Sequence, residues 1–377
     1  MRPILRILLC LTPVIFACKT PAAIAQTMDI IPGAEPQPLL SQALRLDEAL
    51  TFLGSALLKE DSKRLQALQQ RPLTAATAKA VQQILDPYCL AMIHINPEAR
   101  AKVSRGPANA RLTQGGWTSF LVKVHNEAGV TARLRSASPQ ALPALHISTY
   151  SPRALPKNVL SPGAVQNRFL ELQVYSNPPL LPHLSGLSLE YAVVQVYSKD
   201  AGKREVQLSF DIGQGTQDLG FRNAIPILFN IHPSVKVVLR VQDDDGSPVM
   251  GSFIITDGVD RISRDSLHKP DYRLTLAGDE YQVPSRTLTG IYPLPSRRVA
   301  SADEYPDFFF QPQVYRADGE HVLLPPGKYT VTFTRGPEYI PQAKTLEVKA
   351  GQDSMTATFR LQRWINMAAL GWYSADH

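Results

Sequence analysis

The residues best suited to chemistry stand together in "GWYSADH", Gly371 to His377. Two aromatics, a serine, an acid and a histidine in so short a stretch look like the start of a site rather than the frayed tail that usually closes a domain. The other histidines, His94, His125, His146, His183, His232, His268 and His321, are dispersed. None pairs with another at the spacing of zinc ligands, and no H-E-x-x-H is present. A metal site within the chain would have to be assembled from distant residues. His125 in "KVHNEAG" and His232 in "NIHPS" are expected as strand-end residues bonded to backbone.

Other chemistries fail on pattern. No serine occupies a G-x-S-x-G elbow, and Cys89, among apolar neighbours in "DPYCLAMIHI", reads as a buried small hydrophobe. "GQGTQDLG", Gly213 to Gly220, lacks the Gly-Lys-Ser/Thr ending of a phosphate loop and is expected to be a tight connection. "DDDG", Asp243 to Gly246, lacks the alternate ligands and closing Glu of a calcium loop, which leaves a turn with a solvated acidic tip. Asp307 and the phenylalanines of "YPDFFFQPQVY" line either a domain interior or an interface between domains. The expectation is a chain with no catalytic and no cofactor-binding residue of its own.

The elements that would position such a site begin with a segment to be removed. Residues 1–25 combine Arg2 and Arg6, an apolar run from Ile4 to Ala17, and Ala23-Ile24-Ala25, the three parts of a secretory signal. A secreted or periplasmic location is expected, with Cys18 as a lipid-attachment residue the minor alternative. No later run is apolar enough for a transmembrane helix. Loss of Arg2, Arg6 and Lys19 lowers the net charge from +6 to +3. Without a clustered basic face, nucleic acid is not an expected partner. Cys89 is then the sole cysteine, which excludes an intrachain disulfide framework and leaves burial to stabilise the chain.

Four segments follow the signal. Residues 26–87 are helical: Leu46, Leu50, Leu53 and Leu57 recur at helical spacing, Pro72 interrupts, and Ala75, Ala78, Val81 and Leu85 resume, which predicts two helices ending at Asp86-Pro87. Residues 88–233 carry short Val-, Leu-, Phe- and Tyr-rich runs such as "WTSFLVKVHN" and "REVQLSFDIG", separated by turn residues, and predict an antiparallel β-sandwich. In "LSLEYAVVQVYS" and "REVQLSFD" the alternation is that of strands with one buried face. "YSKDAGKREV" reads as a hairpin-type loop. Residues 234–362 predict a second sandwich, with hairpin-like pairs in "VKVVLRVQDDDGSPVMGSFIITD", "VLLPPGKYTVTFTRG" and "KTLEVKAGQDSMTATFRL". Residues 363–377 are a junction. The fold class is therefore mainly β: two antiparallel sandwiches, immunoglobulin-like or transthyretin-like, behind a short helical segment.

Two resemblances add to this reading. "DDDGSPVMGSFIITD" with "LPPGKYTVTFTRGPEYIPQAKTLEV" resembles the carboxypeptidase-regulatory-like, or transthyretin-like, sandwich, in which an Asp-Gly turn leads to P-V-x-G and L-P-P-G-x-Y opens a central strand. The insert from Arg261 to Pro312 departs from that compact pattern. The family implies an accessory module, and some relatives of the fold bind carbohydrate. "GWYSADH" resembles the start of the catalytic domain of PHP-type metallohydrolases of the secreted carbaryl-hydrolase-like group, where G-W-Y-x-G-D precedes an H-x-H metal pair. Gly371, Trp372, Tyr373 and Asp376 match, and Ala375 replaces the usual glycine. His377 falls one place before the first ligand, or in another register is that ligand. The resemblance implies a catalytic domain after this chain, with two or three zinc, manganese or iron ions that activate water. The chain itself would be a non-catalytic scaffold for that domain; a self-contained binding protein for carbohydrate or a protein is the alternative.

Overall fold

The structure is a computed structural model, and it describes residues 28–141, 163, 166–213, 223–257 and 314–373. Three helices form where two were expected: α1 Pro36–Phe52, α2 Lys59–Leu68 and α3 Ala75–Leu85. The extra break lies at Gly54, which takes the left-handed backbone that ends helices, at φ 74. Ser55 N–H then reaches back to the Leu50 carbonyl at 2.9 Å. Leu46, Leu50, Leu53 and Leu57 are all buried as their spacing predicts, Leu57 from beyond the helix end. Gln82, on α3, gives its amide to Ile31 O at 3.0 Å and accepts from Ile31 N–H at 2.8 Å, fastening the segment before α1.

The first β-unit has two sheets. One runs β2-β1-β4-β7-β6, from β1 Cys89–Ile95, β2 Ala101–Arg105, β4 Trp117–Asn126, β6 Leu170–Tyr175 and β7 Leu189–Ser198. The other runs β3-β9-β8-β5, from β3 Arg111–Thr113, β5 Arg135–Ala137, β8 Gly202–Asp211 and β9 Ala224–His232. Val122, Val124, Val194 and Val196 from the first meet Val206, Leu208, Phe210 and Phe229 from the second in one core. The helices cover the opposite face of the first sheet, against Cys89, Leu121, Tyr191 and Val193.

That second covering changes the reading of "LSLEYAVVQVYS". Nearly every residue of β7 is buried, because sandwich core and helices take its two faces, whereas β8 buries one face as expected. Burial on both faces also encloses a charge. Lys123 is fully buried, and its ammonium donates to Asp86 Oδ2 and Asp29 O, each at 2.9 Å. Tyr191 Oη donates to the other Asp86 oxygen at 2.7 Å. Burial pushes the Asp86 carboxyl above its ordinary range, and Lys123 opposes that rise without cancelling it.

The second β-unit encloses its own core between the sheets β13-β10-β16 and β12-β11-β14-β15. Its strands are β10 Val235–Gln242, β11 Met250–Thr256, β12 Val314–Ala317, β13 His321–Leu324, β14 Gly327–Thr334, β15 Gln342–Val348 and β16 Ser354–Arg360. Phe359 meets Phe253 and Phe333 edge-on at ring separations of 5.1 and 5.0 Å. The mainly β, antiparallel-rich character stands, with parallel pairs at β1–β4, β3–β9 and β10–β16.

The expected hairpins are corrected. β7 and β8, β10 and β11, β13 and β14, and β15 and β16 each fall in different sheets. Their loops carry the chain across a sandwich. At Pro325-Pro326, for example, proline supplies no N–H with which a two-strand ladder could continue. Among the described residues, the consecutive strands that do pair antiparallel are β1–β2, β6–β7, β8–β9, β11–β12 and β14–β15.

Candidate functional site

Two places gather groups able to recognise something. The first lies where β16 hands on to residues 363–373. The turn and its solvated acidic tip are present, with Asp244 and Asp245 exposed and Gly246 at φ 82, but Asp243, the first acid of the three, is buried and points inward. Its carboxylate accepts from Tyr339 Oη at 2.9 Å and from Arg335 and Arg363 at 3.1 Å. Burial would raise its pKa, yet bonds from the Asp244 N–H, Tyr339 and Arg363 outweigh that and hold the carboxyl below the usual range. Arg363 also bonds Tyr339 Oη directly.

This polar knot fixes the backbone that presents Trp364. The indole Nε1 donates to Pro337 O at 2.8 Å, so the ring is held in place beside Ile340 and Pro341 while 62 % of it stays exposed. Farther on, a short turn over Ala368–Leu370, ended by Gly371 at φ 82, leaves Leu370, Trp372 and Tyr373 exposed at 64, 68 and 80 %. Trp364 is thus held in the open, and Leu370, Trp372 and Tyr373 add exposed apolar surface beyond it.

The second place was hidden from sequence spacing. β1 and β4 pair in parallel with His94 opposite His125, so the two imidazoles stack at 4.9 Å with planes 11° apart. Glu127, two residues beyond His125, falls on the same face, and its N–H continues the ladder to Ile95 O at 2.9 Å. Its carboxylate lies 3.2 Å from His94 Nε2 and 3.8 Å from His125 Nε2. Burial, and then the His94 ring beside it, hold the His125 imidazole below its ordinary pKa and favour the neutral form. His125 thus meets a ring and a carboxylate, not the backbone partner expected of it. His232 does end β9. The only sequence signal was H-x-E at 125 and 127, whose importance depends on a partner from another strand.

Cys89 is fully buried and free, and burial pushes its thiol well above the ordinary pKa, as an inert core position requires. Residues 1–27 with the signal and Cys18, all but the first residue of Gly213–Gly220, the insert with Asp307 and its phenylalanines, and Ser374–His377 lie outside the described residues. His377 is therefore not placed against any partner. Among the described residues no helix is long and apolar enough to cross a membrane.

No protein-family model matches the chain, and no curated protein matches it. Among solved structures it is similar to the group B streptococcus pilus 2b backbone protein, at 8% identity over 68% of this chain and 96% of that one, with a TM-score of 0.21. It is also similar to BcpA, the major pilin subunit of Bacillus cereus, at 8% identity over 66% of this chain and 60% of that one, with a TM-score of 0.19. Scores at this level carry nothing about function or assembly.

Proposed function

We propose that this chain is the non-catalytic accessory region of an exported metal-dependent hydrolase of the PHP type. In this reading the sandwiches are a scaffold, and the exposed side chains of Ile340, Trp364, Trp372 and Tyr373 are covered by a catalytic domain that continues the same polypeptide. The observation that supports it is the rigid exposure of Trp364, held from below by Pro337 O and by the Arg363–Asp243–Tyr339 knot. An aromatic held this way keeps most of its apolar face available to a partner, and covering it would release roughly 25 cal/mol for each Å² of apolar surface. The zinc, manganese or iron of such an enzyme belongs to residues beyond those described, so no reaction step is derived from this chain.

A second reading, carbohydrate binding, is favoured by the same pinned ring, since a flat exposed indole is a stacking platform for a sugar. One pair of experiments separates the two. The reading frame downstream of the His377 codon continues into H-x-H and further His/Asp clusters on the first reading. In the protein so extended, Trp364→Ala lowers phosphoesterase activity several-fold. A stop codon directly after His377, with Trp364-dependent retention on polysaccharide columns, replaces the first reading with the second.

A further inference from the structure

We propose that His94, His125 and Glu127 form a binding site for a divalent transition-metal ion, zinc being the cation whose ligand preferences they match. Two imidazoles and one carboxylate are a recurrent zinc set, and three protein ligands leave one position open. The carboxylate stands near the spacing such a site needs, and the stacked rings, their planes 11° apart, turn about their side-chain torsions to aim both nitrogens at one ion. Tetrahedral bonds of zinc to nitrogen and oxygen place neighbouring ligand atoms about 3.3 Å apart, and here the carboxylate lies 3.2 and 3.8 Å from the two ring nitrogens. All three groups offer a ligand atom within 4.8 Å of the others.

The present contacts leave this set unsatisfied. His94 Nε2 is enclosed by protein yet makes no hydrogen bond among the described residues, although a carboxylate oxygen stands 3.2 Å away. A cation between them would give both atoms a partner. The frame is also built. The β1–β4 ladder sets the two rings side by side. Asn126 braces the turn that carries Glu127, donating to Val130 O at 2.9 Å and accepting from Val130 N–H at 3.0 Å. Neighbouring cations do not occupy the place. Lys123, two residues before His125, is committed to Asp86 and Asp29 O, and Lys102, opposite His94 on β2, is exposed and free to turn outward. This site is separate from the aromatic surface and does not rest on the accessory-region reading.

The test is calorimetric titration of zinc chloride into the whole chain, produced without a polyhistidine tag and stripped with chelator. One equivalent binds, and cobalt(II) in its place gives the visible absorption of a low-coordinate N/O site. His94→Asn, His125→Asn and Glu127→Gln each weaken zinc by at least about tenfold, the loss already seen when mere supporting groups of metal sites are changed. His232→Asn, at an exposed strand end, leaves binding unchanged. The half-exposed positions of the three ligands let each variant fold, which circular dichroism verifies. Absence of stoichiometric zinc uptake by the natively folded chain overturns the proposal, and so does uptake that survives in the His94→Asn/His125→Asn double variant.

Discussion

Lys123 and Asp243 both place charge inside protein, and they do so on different terms. Lys123 is enclosed on two faces and, among the described residues, has Asp86 as its single carboxylate partner. Replacing that partner leaves an uncompensated buried ammonium, so Asp86→Ala should cost about 3–5 kcal/mol in urea denaturation, while a Lys123→Met/Asp86→Leu double variant should recover most of the loss. Asp243 carries a depressed pKa in the folded state. Its stabilising share is therefore complete above the ordinary carboxylate value, near 3.8, and is lost as pH falls through the lower folded value. Acid titration from pH 5 to pH 2 should show the wild-type chain losing more stability than Asp243→Asn, which has no charge there to lose. Of these residues, sequence alone exposed only the types. "DDDG" was legible as a turn, but which acid turned inward depended on Arg335, Tyr339 and Arg363, all far along the chain.

At the scale of elements, local patterns were legible and pairings were not. The leucine spacing from Leu46 to Leu57 marked a buried face correctly, yet the break fell at Gly54, because a glycine that accepts positive φ ends a helix where periodicity alone would continue it. Strand runs were found, but hairpins were expected wherever two runs met at a turn, whereas four of those turns carry the chain between sheets. A turn sequence sets local direction; which sheet the next strand joins is decided by burial on the far side. The same limit hid the histidine cluster, which exists only because β4 returns beside β1. A third helical-layer effect, the covering of β7 on both faces, likewise could not be read from β7 itself. One element-level contact is sharply testable. At Gly106 a Cβ would stand 2.1 Å from the Cys89 carbonyl oxygen, backbone against backbone, just after β2 leaves β1. Gly106→Ala should cost about 1–3 kcal/mol, as overpacked positions do. Gly163→Ala, where nothing among the described residues stands within 4 Å, should fall within the ordinary surface range in the same urea series.

For the molecule as a whole, the described residues divide their work. Helices and first sandwich share one two-sided sheet, the second sandwich has its own core, and the aromatics beyond β16 are exposed, Trp364 being held by its bond to Pro337 O. The proposed cation site at His94, His125 and Glu127 lies on the β1–β4 ladder of the first sandwich. The central proposal is that the exposed Trp364 and Trp372 are covered by a catalytic domain. Hydroxyl-radical footprinting measures it directly, comparing the chain ending at His377 with the polypeptide extended through its downstream reading frame. The account predicts that Trp364 and Trp372 are oxidised several-fold more slowly in the extended protein. Equal oxidation of both tryptophans, with the downstream domain folded and active, would contradict it.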